Sequence, residues 1–283
     1  MGRIETTFDK LRQQGRVGLI PFITAGDPDI DTTLEIMHAL VAAGADAIEL
    51  GTPFSDPAAD GPTIQAASQR ALNAGATLDK VLDMVERFRQ GSDSQEALGR
   101  DPDTPVVLMG YYNPVFVYGV ERFAARAAQA GVDGVLLVDV PFEHQSEVKQ
   151  YLEPHSVHAI TLIAPTTPEA RAAQMLSNAK GFVYYVSITG VTGTTAIDTG
   201  SIAQMVNRVR SISPIPVAVG FGVATVADAR EVATFADAVI VGSALVKIIH
   251  ENTGTPELLP RVSAFMQELK QGIRQAENHQ NNI

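Results

Sequence analysis

Two carboxylates sit where a carboxylate is costly unless it has work to do. Glu49 lies in AIELGTPF, flanked by Ile48, Leu50 and Gly51. Burying an ionised carboxylate among apolar neighbours is unfavourable unless it is paired, and burial raises its pKa toward neutrality, where one group can both donate and accept a proton. A salt bridge inside the fold is the alternative reading, but few Arg or Lys residues stand near the apolar runs that would supply it. The loop that follows, PFSDPAADGP, carries Asp56 and Asp60. Asp60 precedes Gly61-Pro62 at an expected helix start, so it reads either as a helix cap or as a second carboxylate. Two carboxylates from one strand and its loop can divide acid/base work, one moving a proton while the other stays ionised and steadies positive charge.

A second constellation is built from glycine. Gly190-Val191-Thr192-Gly193 follows one late apolar run, Gly220-Phe221-Gly222 ends the next, and Gly242-Ser243 falls within the last, where a strand gives way to a helix. Bare backbone N–H groups and a helix N-terminus hold an anion without any Lys or Arg, which makes these segments a candidate phosphate cradle. Each glycine also suits a tight strand-to-helix turn, and Ser243 a simple N-cap. Phe22, Ile64, Met109, Leu136 and Phe221 would wall an apolar, partly aromatic pocket that fits a flat ring better than a bare sugar. Tyr111 and Tyr184 either point hydroxyls at a polar substrate group or pack in the core, and Asp139 is a further candidate carboxylate.

The missing chemistry narrows the reaction. None of the six lysines stands at the C-terminal end of an expected strand, where a Schiff-base nucleophile would be required. The six histidines are scattered without ligand spacing, so no metal site is expected.

Eight short apolar runs must position these groups: 18–26, 47–54, 105–112, 134–141, 158–165, 182–190, 216–222 and 238–246. Runs apolar throughout are strands buried on both faces, as parallel strands between helices are. Helical patterns separate them, for example at Ile30–Ala43, Val120–Ala130, Glu169–Asn178, Ile202–Ser211 and Val226–Phe235. Eight βα units predict one α/β domain, a single (β/α)8 TIM barrel spanning 1–283, whose reactive groups project from the C-terminal strand ends. Ile4, Phe8 and Leu11 at helical spacing add an extra N-terminal helix. The echoes AAGADAIELG, AQAGVDGVLL and TFADAVIVG place Asp46, Asp133 and Asp237 alike before a strand, as structural turns at the opposite face. The polar stretch 90–104 reads as an exposed insertion, and about 272–283 as a frayed tail.

Composition sets the outer bounds. The 283 residues are 45% hydrophobic and 19% charged with a net charge of −11, a profile of a globular protein that repels nucleic acid and anionic lipid, so neither nucleic acid nor membrane is expected as partner. Any bound phosphate must be held locally. The chain has no cysteine, which removes disulfides and thiolate chemistry and fits a cytoplasmic location.

Along nearly its whole length the chain resembles the tryptophan synthase α subunit family, through PFITAGDPD (21–29), ELGTPFSDPAADGPTIQAA (49–67), GYYNPVF (110–116), GVDGVLLVDVPFEH (131–144), VSITGVTG (186–193) and PVAVGFGV (216–223). The resemblance implies a lyase of tryptophan biosynthesis that splits indole-3-glycerol phosphate into indole and glyceraldehyde 3-phosphate by a retro-aldol step. It assigns the acid/base to Glu49, which would protonate the ring carbon bearing the glycerol chain, and the indole N–H contact to Asp60. It further implies substrate contact by Tyr184, loop closure by Thr192, and phosphate binding by Gly193, Gly222, Gly242 and Ser243. The implied partner is a β subunit that carries pyridoxal phosphate and receives indole in an αββα complex, with Pro53, Asp56 and the GYYNPVF segment facing it; no cofactor is expected in this chain. An indole that stores electrons itself needs neither lysine nor metal, in line with the residues absent above.

This sequence departs from the family pattern in a longer 90–104 stretch and in Ile188-Thr189, where an Arg and a small residue are common. The competing readings are a free-standing indole-releasing lyase with the same catalytic residues, and a silent sugar-phosphate-binding barrel that only activates a partner. The presence of both Glu49 and Asp60 argues against the second. Another phosphate-binding barrel, such as a thiamin phosphate synthase, would lack the ELGTPFSDP loop.

Overall fold

The computed structural model describes residues 2–90, 102–186, 199–220 and 222–280. Its strands are β1 (Gly18–Thr24), β2 (Ile48–Gly51), β3 (Val106–Gly110), β4 (Gly134–Leu137), β5 (His158–Ala159), β6 (Thr161–Ile163), β7 (Val183–Val186), β8 (Val217–Gly220) and β9 (Ala238–Val241). Every pairing is parallel, in the order β5-β4-β3-β2-β1-β9-β8-β7-β6. The two ends of that order, β5 and β6, are successive pieces of the expected run at 158–165, broken at Ile160. The Ile160 N–H still donates to the Val135 carbonyl at 2.9 Å. The eight expected runs are therefore the eight staves of a cylinder, one of them assigned in two parts.

Between the staves run α1 (Arg3–Gln13), α2 (Ile30–Ala42), α3 (Pro62–Asn73), α4 (Leu78–Gln90), α5 (Tyr112–Tyr118), α6 (Val120–Ala130), α7 (Ser146–Leu152), α8 (Glu169–Leu176), α9 (Thr199–Ile212), α10 (Val226–Val232), α11 (Ser243–Asn252) and α12 (Leu258–Gln280). None of the described helices is long and apolar enough to cross a membrane.

The strands read as unbroken apolar runs because successive side chains face opposite layers and both layers are core. Leu19, Leu50, Leu108, Val183 and Val239 point outward into the shell shared with Leu40, Val85, Phe123 and Met266 of the helices. Their neighbours Ile20, Val107, Leu136, Ala218 and Ile240 fill the barrel interior. Ile4, Phe8 and Leu11 of α1, the spacing that predicts that helix, join the interior cluster and close the barrel's lower end, with Phe8 5.7 Å from the Phe182 ring.

Asp46, Asp133 and Asp237 share one device at that lower end. Each carboxylate accepts from an N–H at the start of a neighbouring strand, Leu19 at 2.9 Å, Val106 at 2.8 Å and Val217 at 2.8 Å, respectively. Each aspartate's own N–H returns a bond to the carbonyl of the same strand residue at 2.9 Å. The charges are answered by Lys270 and Arg16, by Arg89 and Arg3, and by Arg210. A strand's opening N–H would otherwise be buried without a partner, so the repeated aspartate staples each stave to the next.

The chain end differs from expectation. Rather than fraying after residue 271, α12 continues to Gln280, with Ile273 and Ala276 buried. Glu277 accepts from the Val17 N–H at 2.7 Å. The tail's polar residues are one face of an amphipathic helix whose apolar face packs against the barrel shell. The expected insertion at 90–104 lies largely outside the described residues.

Candidate active site

At the upper, C-terminal end of the barrel, strand register puts Phe22, Glu49 and Val107 side by side on β1, β2 and β3. Glu49 is 2% exposed, and neither of its oxygens has a hydrogen-bond partner among the described residues. The salt-bridge alternative is thus not realised. Burial, helped by the negative charge of Asp60, pushes its pKa up to about 8. At neutral pH the side chain is mostly a neutral acid with its proton available.

Asp60 stands in the turn before α3. It does not cap that helix, whose N-cap is Gly61 and whose first turn holds Pro62. Its carboxylate instead accepts a 3.1 Å hydrogen bond from the Tyr111 hydroxyl, which also accepts from the Ala59 N–H at 2.9 Å. Burial raises the Asp60 pKa and the Tyr111 bond pulls it back. Tyr184 of β7 reaches the same space. Its hydroxyl is held well above the ordinary range by desolvation, then by the charges of Glu49 and Asp60.

Beside these groups opens a cleft of about 300 Å3 lined by Phe22, Ile64, Met109, Tyr111, Asp60 and Pro53, together with Thr24, Gly51, Thr52, Phe54 and Ser68. A Cβ on Gly51 would come within 2.6 Å of the Phe22 ring, so the glycine of ELG lets that ring lie flat on the cleft floor. Gly220 has the same relation to Tyr184, whose hydroxyl would lie 2.6 Å from an added Cβ. Leu136 is below the cleft, buried in the interior cluster that Tyr184 and Met109 pack against.

Of the expected phosphate residues, Gly222, Gly242 and Ser243 are described, whereas Thr192, Gly193 and Phe221, with Ile188 and Thr189, fall outside the described residues. Gly222 has φ +55° with open space around it, and Gly242 is the N-cap of α11 with no side chain capping it. The neighbouring α10 differs: Thr225 and Asp228 cap it reciprocally. The first N–H groups of α11 therefore remain available to an anion at the end of β9.

Other polar side chains near the mouth make local contacts. Asp139 accepts from the Tyr112 N–H at 2.8 Å and fixes the start of α5. Asp56 is exposed and accepts from the Ser55 hydroxyl at 2.5 Å. His144 pairs with Glu147 at 2.8 Å on the surface.

Sequence reasoning missed Thr24, Thr52, Phe54 and Ser68. Ser68 was detectable as a polar residue between Ala67 and Ala71 on the inward face of α3. Its hydroxyl accepts from the Phe54 N–H at 2.8 Å and donates to the Phe54 carbonyl at 2.9 Å, which ties the loop after β2 to α3.

Comparison with known proteins shows the family. The profile of the family described as tryptophan synthase alpha chain matches residues 8–274. The chain is similar to the tryptophan synthase alpha chain of Granulibacter bethesdensis, 47% identical over 280 residues covering 98% of each chain. Its similarity to that of Laribacter hongkongensis is 50% over 276 residues, 98% of this chain and 99% of the relative. Among solved structures, tryptophan synthase subunit alpha from Legionella pneumophila superposes with a TM-score of 0.88 at 40% identity, covering 97% of this chain and 99% of the other. A chain of tryptophan synthase from M. tuberculosis, in its aminoacrylate-bound form, gives 0.82 at 36% identity, with 97% and 100% covered. The chain belongs to the tryptophan synthase alpha chain family.

Proposed function

We propose that this lyase cleaves indole-3-glycerol phosphate to indole and glyceraldehyde 3-phosphate, with Glu49 as the acid/base and Asp60 as the group that stabilises the cationic ring. The observation that carries the reading is the buried, unpaired Glu49 carboxyl with its pKa near 8, beside a second carboxyl at the mouth of the barrel.

Glu49 starts as the neutral acid and gives its proton to the indole carbon that bears the glycerol chain. The ring becomes a cationic indolenine whose N–H donates to ionised Asp60, the site's fixed negative charge. The carboxylate left at Glu49 takes the proton of the adjacent glycerol hydroxyl. The carbon–carbon bond then breaks, its electron pair restores the indole ring, and the hydroxyl carbon becomes the aldehyde. Glu49 ends as it began, protonated, so no lysine adduct or metal ion is required.

The flat cleft bounded by Phe22, Ile64 and Met109 suits the indole, with Leu136 supporting it from below, Tyr111 orienting Asp60 and Tyr184 contacting the substrate. The phosphate is assigned to the α11 N-terminus through Gly242 and Ser243, with Gly222, Phe221 and Gly193; Thr192 is assigned to loop closure. An anion held by backbone dipoles fits a chain whose net charge is −11.

The partner reading is a pyridoxal-phosphate β subunit in an αββα assembly, with the cofactor wholly in that partner. Phe116 and Val117 of α5 are 63% and 77% exposed, the two most exposed large apolar side chains described. They lie at the end of and just beyond the GYYNPVF segment. This unsatisfied apolar surface, with Pro53 and Asp56 on the loop over the cleft, favours a partnered enzyme over a free-standing one.

The test follows indole release from indole-3-glycerol phosphate, with a β subunit supplied, for the wild type and Glu49→Gln. The expected result is an active wild type and a mutant that keeps its fold and phosphate affinity but loses nearly all cleavage. An active mutant would move the acid/base elsewhere, and an inactive wild type would leave a silent binding barrel.

A further inference from the structure

We propose that the space between α8 and α9, on the outer side of β7, is a second binding site, for a small neutral aromatic molecule with one polar group, of the size of phenol or indole. Tyr184 and Tyr185 are neighbours on β7 and so face opposite layers. Tyr184 belongs to the barrel interior, whereas Tyr185 belongs to the outer shell under the helices. Tyr185 is 1% exposed, and its buried hydroxyl has no hydrogen-bond partner among the described residues. A buried hydroxyl left unpaired is costly, and such groups ordinarily have a protein or solvent partner.

That residue lines a pocket of about 450 Å3, part of it open to solvent. Its other walls are mainly apolar, from Ile163, Ala164, Ala172, Met205 and Val209. Ile212 on the same pocket is 37% exposed, an apolar side chain left without cover.

Three features select the ligand class. The walls come from β6, β7 and two helices, where a ring can lie against aliphatic carbon and the Met205 sulfur. Among the described residues of the pocket the one polar side-chain atom buried without a partner is the Tyr185 hydroxyl, which can donate to a phenol oxygen or accept from an indole N–H. The two charged residues on the pocket, Glu169 and Arg208, are exposed and opposite in sign, so a charged ligand would find no buried counter-ion.

Phenol is the probe. It is titrated into the full chain labelled with 13C at the tyrosine ring carbons, and the Tyr185 resonance is identified by its absence in Tyr185→Phe. The expected result is a saturable shift of the Tyr185 resonance and, read at a 13C-labelled Met205 methyl on the pocket wall, a Kd about tenfold weaker in Tyr185→Phe and no binding in Ala172→Leu, which fills the pocket. Indole release stays at the wild-type rate in both variants, because neither residue touches the cleft at the barrel mouth. A Tyr185 resonance that does not move, shifts confined to Tyr111 and Tyr184, or an unchanged Kd in Tyr185→Phe would each overturn the proposal. Tyr185→Phe keeps the ring and its packing, so it decides the matter even if Ala172→Leu fails to fold.

Discussion

The Tyr111 hydroxyl stands between Asp60 and the loop that carries it, donating to the carboxylate at 3.1 Å and accepting from the Ala59 N–H at 2.9 Å. One side chain from the end of β3 thereby sets both the position of the second carboxylate and its ionisation. The bond favours the charged form, against the burial that raises the pKa.

Tyr111→Phe therefore raises the Asp60 pKa further. The acid limb of the kcat/KM profile for indole release moves to higher pH, and the rate at neutral pH falls by about ten- to hundredfold, the loss of one hydrogen bond to a charged group. A pH–rate profile that keeps its acid limb would detach Asp60 from the chemistry.

Glu49 links activity and stability to pH in the same direction. Its pKa in the folded chain, about 8, lies above the ordinary 4.5, so the folded state holds a proton there that the unfolded state releases. The favourable contribution is complete below pH 4.5, fades through the window from 4.5 to 8 and is gone above it. Melting temperatures measured from pH 5 to pH 9 should fall more steeply for the wild type than for Glu49→Gln, with a differential of roughly 2–5 kcal/mol across the window. The kcat/KM of the wild type should decline above about pH 8 as the acid is lost.

At Gly51 the constraint is steric. Gly51→Ala drives a methyl group to 2.6 Å from the Phe22 ring, which must rotate out of its place on the cleft floor. The expected cost is about 1–3 kcal/mol of stability, with KM raised more than kcat is lowered because the ring is a binding surface. Urea melts and steady-state kinetics on the purified variant check both parts, and an unchanged KM would show that Phe22 does not bear on the substrate.

Asp133→Asn tests the opposite end of the barrel. Asp133 is 7% exposed and holds the Val106 N–H, Arg89 and Arg3. The amide leaves two cations short of a partner, so unfolding free energy should drop by about 2–4 kcal/mol. Indole release at 25 °C should stay within about twofold of wild type, since nothing at the lower end touches the cleft. A large loss of kcat in a folded variant would contradict the division of labour between the two ends.

The sequence by itself determined the stave count, because strands buried on both faces must be apolar throughout, and it determined α1, because Ile4, Phe8 and Leu11 recur at helical spacing. It marked Glu49 as a carboxylate out of place, and the three aspartates as one repeated device. Local pattern carries that much because burial leaves its signature residue by residue.

The tertiary structure decided what depends on residues far apart in the chain. That Asp60 answers to Tyr111, 51 positions away, and not to its own helix follows from the register of β2 against β3 and the path of the loop above them. The anchoring of the last helix by Glu277 on Val17, 260 positions away, turned an apparently polar tail into barrel wall. Which of two adjacent tyrosines faces the barrel interior and which lies beneath the helices was also beyond the sequence. A strand with apolar residues on both faces gives no sign of which face closes inward, and only closure of the barrel assigns it.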